Sequence, residues 1–225
     1  MVTGGSSGIG KAIAAELVAA GAKVLTNGRN AQRLEAAAAT TGALWVEADI
    51  TTPEGVAATV AAVKEQLGGL DVLINNAGYG EFERLEDVTW DAYQRVFATN
   101  VFGPAMLTAE LVRLLKKQQR GHIINIASTS ALKGFALGSM YSASKFAMRG
   151  MTQCWQEELR RFNVRVTLLN PSEVTTAFAE TDRHERPEQH NKLRPLEIAH
   201  TIKAVLEMDD RGFIPEVTVW ATNPF

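Results

Sequence analysis

Short apolar runs of about three to six residues alternate along the chain with stretches whose apolar positions recur at helical spacing. Val24-Leu25-Thr26, Leu44-Trp45-Val46, Val72-Leu73-Ile74, Ile123-Ile124-Asn125-Ile126, Val164-Arg165-Val166-Thr167-Leu168-Leu169 and Val217-Thr218-Val219-Trp220 read as strands. Between them the pattern predicts helices over 31–39, 54–67, 89–118, 141–161 and 195–208; Val56, Val60, Val63 and Leu67, for example, share one helical face. Near the N-terminus Val2-Thr3 reads as the end of a strand. The helix after it carries Ile9, Ile13 and Leu17 as one apolar stripe, with Gly21 placed to stop it. Such β-α-β alternation predicts an α/β fold whose mostly parallel sheet has helices on both faces and binds ligands beyond the carboxyl ends of its strands.

Composition narrows the class. A chain of 225 residues with 46% hydrophobic content can bury a substantial core, and no repeat, linker or low-complexity tract divides it, so one domain over 1–225 is expected. A net charge of -2 argues against nucleic acid or an anionic membrane as partner, since either usually meets a basic surface. The single cysteine, Cys154, has no partner for an internal disulfide, and its helical context predicts a buried thiol. No apolar segment is long enough to span a bilayer and no leader pattern opens the chain, which points to the cytoplasm. Met1-Val2-Thr3 is short for a buried parallel strand, which leaves open whether residues precede Met1.

The first candidate chemistry lies where strand meets helix. Thr3-Gly4-Gly5-Ser6-Ser7-Gly8-Ile9-Gly10 would make a tight turn whose backbone N–H groups and helix dipole point toward one place, a site suited to a pyrophosphate. Three residues separate Gly4 from Gly8 and one separates Gly8 from Gly10, a spacing that differs from the common G-x-G-x-x-G fingerprint. Further polar residues sit at predicted strand ends: Asp49 after the third, Asn75-Asn76-Ala77-Gly78 after the fourth, Ser128 after the fifth and Asn170-Pro171 after the sixth. Each alone could be an ordinary turn former; together they would gather along one edge of the sheet.

Tyr141 and Lys145, four residues apart, fall on one helix face. A nearby ammonium favours the phenolate, so Lys145 is expected to draw the Tyr141 pKa down from about 10 toward the range of proton exchange near neutrality. Ser128 would supply a hydroxyl to hold the reacting oxygen. His122, His184, His190 and His200 lack the spacing and supporting carboxylate of a metal site, and none is expected. Ser128 lacks a nucleophile elbow, which argues against a serine hydrolase.

With these pieces together the chain resembles the short-chain dehydrogenases/reductases over essentially its whole length. The resemblance rests on Thr3-Gly4-x-x-x-Gly8-x-Gly10, Asp49, Asn75-Asn76-Ala77-Gly78, Asn100, Ser128, Tyr141-x-x-x-Lys145 and Asn170-Pro171. It implies a Rossmann-type doubly wound, mostly parallel seven-stranded sheet and hydride transfer between a nicotinamide and a carbonyl or secondary alcohol. Asn100, Ser128, Tyr141 and Lys145 would form the catalytic tetrad. Lys145 would also hold the nicotinamide ribose, and Asn100 would hold water in a proton relay. Read from its neighbours alone, Asn100 could equally bond within a helix bent at Pro104. By the same resemblance Gly4, Ser6, Ser7, Gly8, Ile9 and Gly10 would cradle the cofactor phosphates. Asp49 and Ile50 would lie near the adenine, Asn76, Ala77 and Gly78 near the adenosine ribose, and Pro171, Val174 and Thr176 beside the nicotinamide. After Pro171 the family usually has glycine, whereas this chain has Ser172-Glu173.

Cofactor preference can be read at the end of the second strand, Val24-Leu25-Thr26-Asn27-Gly28-Arg29-Asn30. No carboxylate stands there to accept from a ribose 2′-hydroxyl, and Arg29 could pair with a 2′-phosphate, so NADP(H) is expected over NAD(H). Glu35 lies too far into the next helix to replace the missing acid. A polar, charged segment at about 175–195, including Arg183, His184, Arg186 and His190, would be a substrate loop closing over the site. General similarity is greatest to 3-oxoacyl carrier-protein reductases, which makes an acyl thioester a candidate substrate and leaves Lys116, Lys117 and Arg120 to meet an acidic carrier. The family resemblance also implies a homodimer or homotetramer. The alternative is a redox sensor or scaffold that binds the dinucleotide with little turnover.

Overall fold

The computed structural model describes residues 1–178 and 186–224. Its strands are β1 (Val2–Thr3), β2 (Leu25–Gly28), β3 (Leu44–Glu47), β4 (Val72–Asn75), β5 (Gly121–Ile126), β6 (Val164–Pro171) and β7 (Glu216–Val219). They form one sheet in the order β3-β2-β1-β4-β5-β6-β7, every pair parallel. Succession reverses direction between β1 and β4, and there the carboxyl ends of the strands open a crevice. The helices are α1 (Gly8–Ala19), α2 (Ala31–Thr41), α3 (Pro53–Ala62), α4 (Trp90–Phe97), α5 (Gly103–Gln118), α6 (Ser139–Leu159) and α7 (Pro195–Leu206).

The central strands are buried on both faces, and their alternation supplies two cores. Leu73 and Ile123 point into a cluster with Val56, Leu107, Leu111, Leu115 and Leu159, from α3, α5 and α6. Their neighbours Ile74 and Ile124 point the other way, to Ile13, Ile198, Ile202 and Val205 of α1 and α7. Each large side chain so buried contributes about 1.5–3 kcal/mol. A polar ladder crosses the first core: Asn75 Nδ2 donates to Asn125 Oδ1 at 2.8 Å and Thr108 Oγ1 at 3.0 Å, and Asn125 Nδ2 donates to Thr152 Oγ1 at 2.8 Å. It pins α5 and α6 to the strand ends that carry the crevice.

Two long predicted helices divide. The stretch 89–118 becomes α4, a π-helical turn at Ala98–Phe102, and α5. Pro104 has no N–H to give the Asn100 carbonyl, so the α ladder fails at the residue the apolar period runs through. The stretch 54–67 becomes α3 and a π turn at Val63–Leu67, ended by Gly68 in the left-handed region at φ 76°. Cys154, expected to be buried, is exposed. Helix α6 buries Met148, Thr152 and Leu159, and two residues beyond Thr152 the helix has turned by about 200°.

His122 on β5 is buried, and its Nε2 lies 2.8 Å from Thr167 Oγ1. The Thr167 hydroxyl donates its only hydrogen to the Ile214 carbonyl at 2.7 Å, so Nε2 must be the protonated nitrogen and Nδ1 is left without a partner. Burial, helped by Arg165, lowers the His122 pKa to about 3. Between about pH 6.5 and 3 the unfolded chain therefore binds the extra proton, and stability falls as pH falls through that window. His122→Asn should flatten the acid limb of urea-unfolding free energy against pH; an unchanged limb would place the acid sensitivity elsewhere.

Among the described residues no helix is long and apolar enough to cross a membrane.

Candidate active site

The crevice begins with a lock between three strand ends. Thr3 Oγ1 accepts the N–H groups of Asn76 and Ala77, both at 2.9 Å, and Asn76 Nδ2 returns bonds to the carbonyls of Thr3 at 2.9 Å and Gly4 at 3.3 Å. The Asn27 carbonyl accepts from the N–H groups of Gly4 at 3.1 Å and Gly5 at 3.2 Å, joining β2 to the same turn. The Asn76 amide thus braces the glycine turn, and the residue lines the cleft. Gly8 then takes φ 53°, in the left-handed region, and α1 starts there. The Ser7 side chain does not cap α1, so the first-turn N–H groups and the dipole face the cleft. At Gly10 any Cβ would overlap the Gly4 carbonyl and reach within 2.5 Å of Asn76 Nδ2.

Beyond β3, Asp49 Oδ1 accepts from the Thr51 backbone at 2.9 Å and from its hydroxyl at 2.8 Å, fixing the turn into α3. Arg29 follows β2, and Arg33 stands one helical turn further on. Both line the cleft; Asn30 caps α2 between them by accepting the Arg33 backbone N–H at 2.9 Å. Arg33 was not singled out in the sequence, because a charged residue in a helix ordinarily faces solvent. Glu35 is exposed and outside the cleft wall.

At the other end, Tyr141, Lys145 and Ser128 meet. Ser128 Oγ accepts from the Ser130 backbone at 3.1 Å and lies 3.2 Å from Ser130 Oγ, which orients it at the start of a short 3-10 turn. Lys145 is only 4% exposed, and its ammonium gives one hydrogen bond, to the Ile126 carbonyl at 3.0 Å. No carboxylate among the described residues balances it, and burial pulls its pKa down to about 8. Its Nζ sits 5.6 Å from the centroid of the Tyr141 ring. Here the expected electrostatics reverse: burial raises Tyr141 to about 12, with the Ser128 hydroxyl pulling weakly the other way. Desolvation prevails at the phenol, which keeps its proton at pH 7.

Asn100 lies behind the cleft wall, fully buried. Its Oδ1 accepts from the Tyr79 N–H at 2.8 Å, and Nδ2 donates to the Tyr79 carbonyl at 2.8 Å and to Ser144 Oγ at 2.9 Å. Both amide hydrogens are committed, so the side chain braces the loop after β4 against α6. Pro104, four residues on, has no N–H to give the Asn100 carbonyl, so this oxygen lacks its α-helical donor.

Aromatic residues that the sequence gave no reason to connect complete the wall. Phe82 and Phe178 stand edge-on to Tyr141, with centroids 5.6 and 5.5 Å away, and Phe135 packs on Phe82 at 5.8 Å. Below them, Glu173 binds Lys192 at 2.7 Å and faces Arg186 at 3.8 Å. Together with the Val174–Leu193 bridge, this acid ties the outgoing and returning ends of the 175–195 segment. Residues 179–185 of that segment, with Arg183 and His184, lie outside the described residues.

The glycine turn, Arg29, Arg33, Asp49, Asn76, Ser128, Tyr141, Lys145 and the three phenylalanines border one cleft of about 780 Å³, within the range of small-molecule and cofactor sites. Its wall includes Gly4, Ser6, Ser7, Ile9, Ile50, Ala77, Gly78, Pro171, Val174 and Thr176, each assigned to a cofactor from the sequence. A dinucleotide fits the residues present: a glycine turn at a helix N-terminus in the middle, cations near β2, and at the far end a buried ammonium that gives one hydrogen bond among the described residues. Among the described residues no three His, Cys, Asp or Glu side chains gather as metal ligands.

Comparison with known proteins agrees with this geometry. The model of the family described as short chain dehydrogenase matches residues 1–187. An uncharacterized oxidoreductase of Staphylococcus epidermidis is 34% identical over 222 residues, covering 97% of this chain and 95% of its own. An alcohol dehydrogenase from the archaeon Thermococcus sibiricus, solved with 5-hydroxy-NADP, superposes with a TM-score of 0.90 at 26% identity, covering 98% of this chain and 95% of its own. A metagenomic short-chain oxidoreductase in complex with NADP gives a TM-score of 0.84 at 32% identity, with coverage of 98% and 95%. The strand order, the glycine turn and these likenesses together establish that this chain belongs to the short-chain dehydrogenases and is an oxidoreductase.

Proposed function

We propose that this chain is an NADP(H)-dependent oxidoreductase that interconverts a carbonyl and a secondary alcohol, with Tyr141 as general acid and base. The observation that carries the proposal is Lys145: an almost fully buried ammonium with, among the described residues, one hydrogen bond and no counter-charge, in the same cleft wall as Tyr141 and Ser128. Leaving a buried cation so poorly paired is costly, and a ligand offering oxygens to its two remaining hydrogens would recover that cost.

The cofactor would be held by the glycine turn and α1 at its phosphates, by Arg29 and Arg33 at a 2′-phosphate, and by Lys145 at a ribose. When bound, its nicotinamide supplies or accepts the hydride. In reduction the carbonyl carbon gains the hydride with its two electrons, and the oxygen gains the Tyr141 proton; solvent then restores the proton to the phenolate. The raised Tyr141 pKa keeps that proton available at neutral pH, which suits the reductive direction. Ser128 would donate to the oxygen as charge develops on it. The Asn100 carbonyl, rather than its amide, would hold any water passing protons onward.

A 3-oxoacyl thioester is one substrate within this reading. Of the cations that could meet an acidic carrier, Lys116 pairs with Glu158 at 3.0 Å and Arg120 with Asp210 at 3.6 Å, so the carrier would meet a surface already partly neutralised. Subunit pairing would cover Phe102 and Met106, 57% and 56% exposed one turn apart, in a cytoplasmic dimer or tetramer built from the one domain.

The test follows nicotinamide absorbance with a panel of ketones and 3-oxoacyl thioesters under NADPH and NADH. Consumption of NADPH matched by alcohol formation is expected. A protein that binds NADPH tightly and consumes it with no carbonyl would instead be the dinucleotide sensor.

A further inference from the structure

We infer that the substrate is an uncharged ketone, or the matching alcohol, with an aromatic ring next to the reacting carbon; this rests on the proposed reaction at Tyr141 and names its substrate class. Three phenylalanines reach the Tyr141 end of the cleft from three different loops: Phe82 after β4, Phe135 after β5 and Phe178 after β6. Phe82 and Phe178 both present a T-shaped or edge contact to the Tyr141 ring, and Phe135 extends the same wall outward. An incoming ring would continue this edge-and-face packing.

The loops are shaped for that wall. At Gly80 a Cβ would come 2.5 Å from the Phe178 ring and 2.9 Å from Phe82, and at Gly138 it would come 2.5 Å from Phe135. No larger residue fits without moving a ring. Leu137 holds φ 67°, a conformation rarely given to a residue of its kind, and its carbonyl accepts the Glu83 N–H at 3.1 Å, binding the Phe82 loop to the Phe135 loop. The rim is apolar as well: Phe135 and Leu137 are 49% and 51% exposed.

Charge points the same way. Glu81, beside Phe82, is occupied by Arg95 at 2.7 Å and by the Tyr79 hydroxyl at 3.0 Å. Glu173 and Arg186 face each other, with Lys192 closing on Glu173. With Lys145 given to the cofactor ribose, the described residues at this end of the cleft offer a charged substrate only paired groups and aromatic faces, which suit an uncharged aryl ketone.

The experiment compares kcat/KM for methyl phenyl ketone, cyclohexyl methyl ketone, butanone and acetoacetyl-CoA with NADPH, in wild type and Phe135→Ala. Phe135 touches Phe82 rather than Tyr141 and is half exposed, so its truncation probes the wall with the least effect on folding. The phenyl ketone is expected to exceed its saturated counterpart by about 2–10-fold, the margin of aromatic packing, and to exceed the thioester by more. Phe135→Ala should lower the phenyl-to-butanone ratio by about 10-fold, chiefly through KM. Preference for the thioester, equal rates for the two rings, or an unchanged ratio would overturn the aromatic assignment while leaving the reductase intact. If no carbonyl is turned over, the reductase reading fails instead. Calorimetric titration of methyl phenyl ketone into the NADP+ complex then decides the pocket: binding weakened by Phe135→Ala upholds it, and no binding overturns it.

Discussion

Tyr141→Phe is expected to lower kcat for ketone reduction by about 10²–10⁴-fold, the usual contribution of a positioned proton donor. The substitution removes one oxygen and leaves the ring that packs between Phe82 and Phe178, so the aromatic wall and the start of α6 should keep their form. NADPH affinity should change by less than about 10-fold, since at most one hydrogen bond to the cofactor is lost. Stopped-flow turnover beside a fluorescence titration of NADPH separates the two effects. Phenylalanine also removes a group held neutral to about pH 12, so residual activity in the variant should show no Tyr141-dependent titration. A loss smaller than about 10-fold with binding intact would mean that some other group supplies the proton.

The second large effect concerns the cofactor. Arg29→Ala and Arg33→Ala should each weaken NADPH by about 10-fold, and the pair by about 10²–10³-fold, with NADH nearly unchanged, because each guanidinium would give a charge-assisted bond only to the 2′-phosphate. Arg29 is exposed and Arg33 intermediate, which holds each single loss near the lower end of such bonds. Among the described residues of the cleft wall, the acids are Asp49, whose Oδ1 is held by Thr51, and Glu173, which is paired with Lys192. Dissociation constants for both cofactors in the three variants check the expectation. Equal weakening of NADPH and NADH would show that the arginines hold the turn rather than read the phosphate.

The fold was legible because its strands are short apolar runs with no helical period, and burial on both faces leaves little room for other arrangements. What periodicity could not show was the π turn at Ala98–Phe102: the apolar spacing continues through it, and only the missing N–H of Pro104 marks the break. The glycine turn and Tyr141, Ser128 and Lys145 could be read early because their chemistry depends on residue type at fixed spacing. Electrostatics were less accessible. Proximity on a helix suggested that Lys145 would acidify Tyr141, but burial, a property of the folded surroundings, outweighs it. The bonds of the Asn76 and Asn100 amides could not be read either, since Asn76 holds the Thr3 and Gly4 carbonyls, and Asn100 holds Tyr79 and Ser144, all groups far away in sequence. Phe82, Phe135 and Phe178 could not be joined in advance, since they lie in three loops without period and meet only when the sheet is assembled.

The central claim, that this cleft couples hydride transfer to a proton from Tyr141, is tested most directly by isotope transfer. Wild type and Tyr141→Phe would be incubated with methyl phenyl ketone and NADPH deuterated at the reactive position of the nicotinamide, and the alcohol examined by mass spectrometry. The account predicts one deuterium on the carbinol carbon with wild type and almost none with the variant at equal NADPH occupancy. Deuterated alcohol formed equally by both proteins, or none from any carbonyl although NADPH is bound, would contradict it.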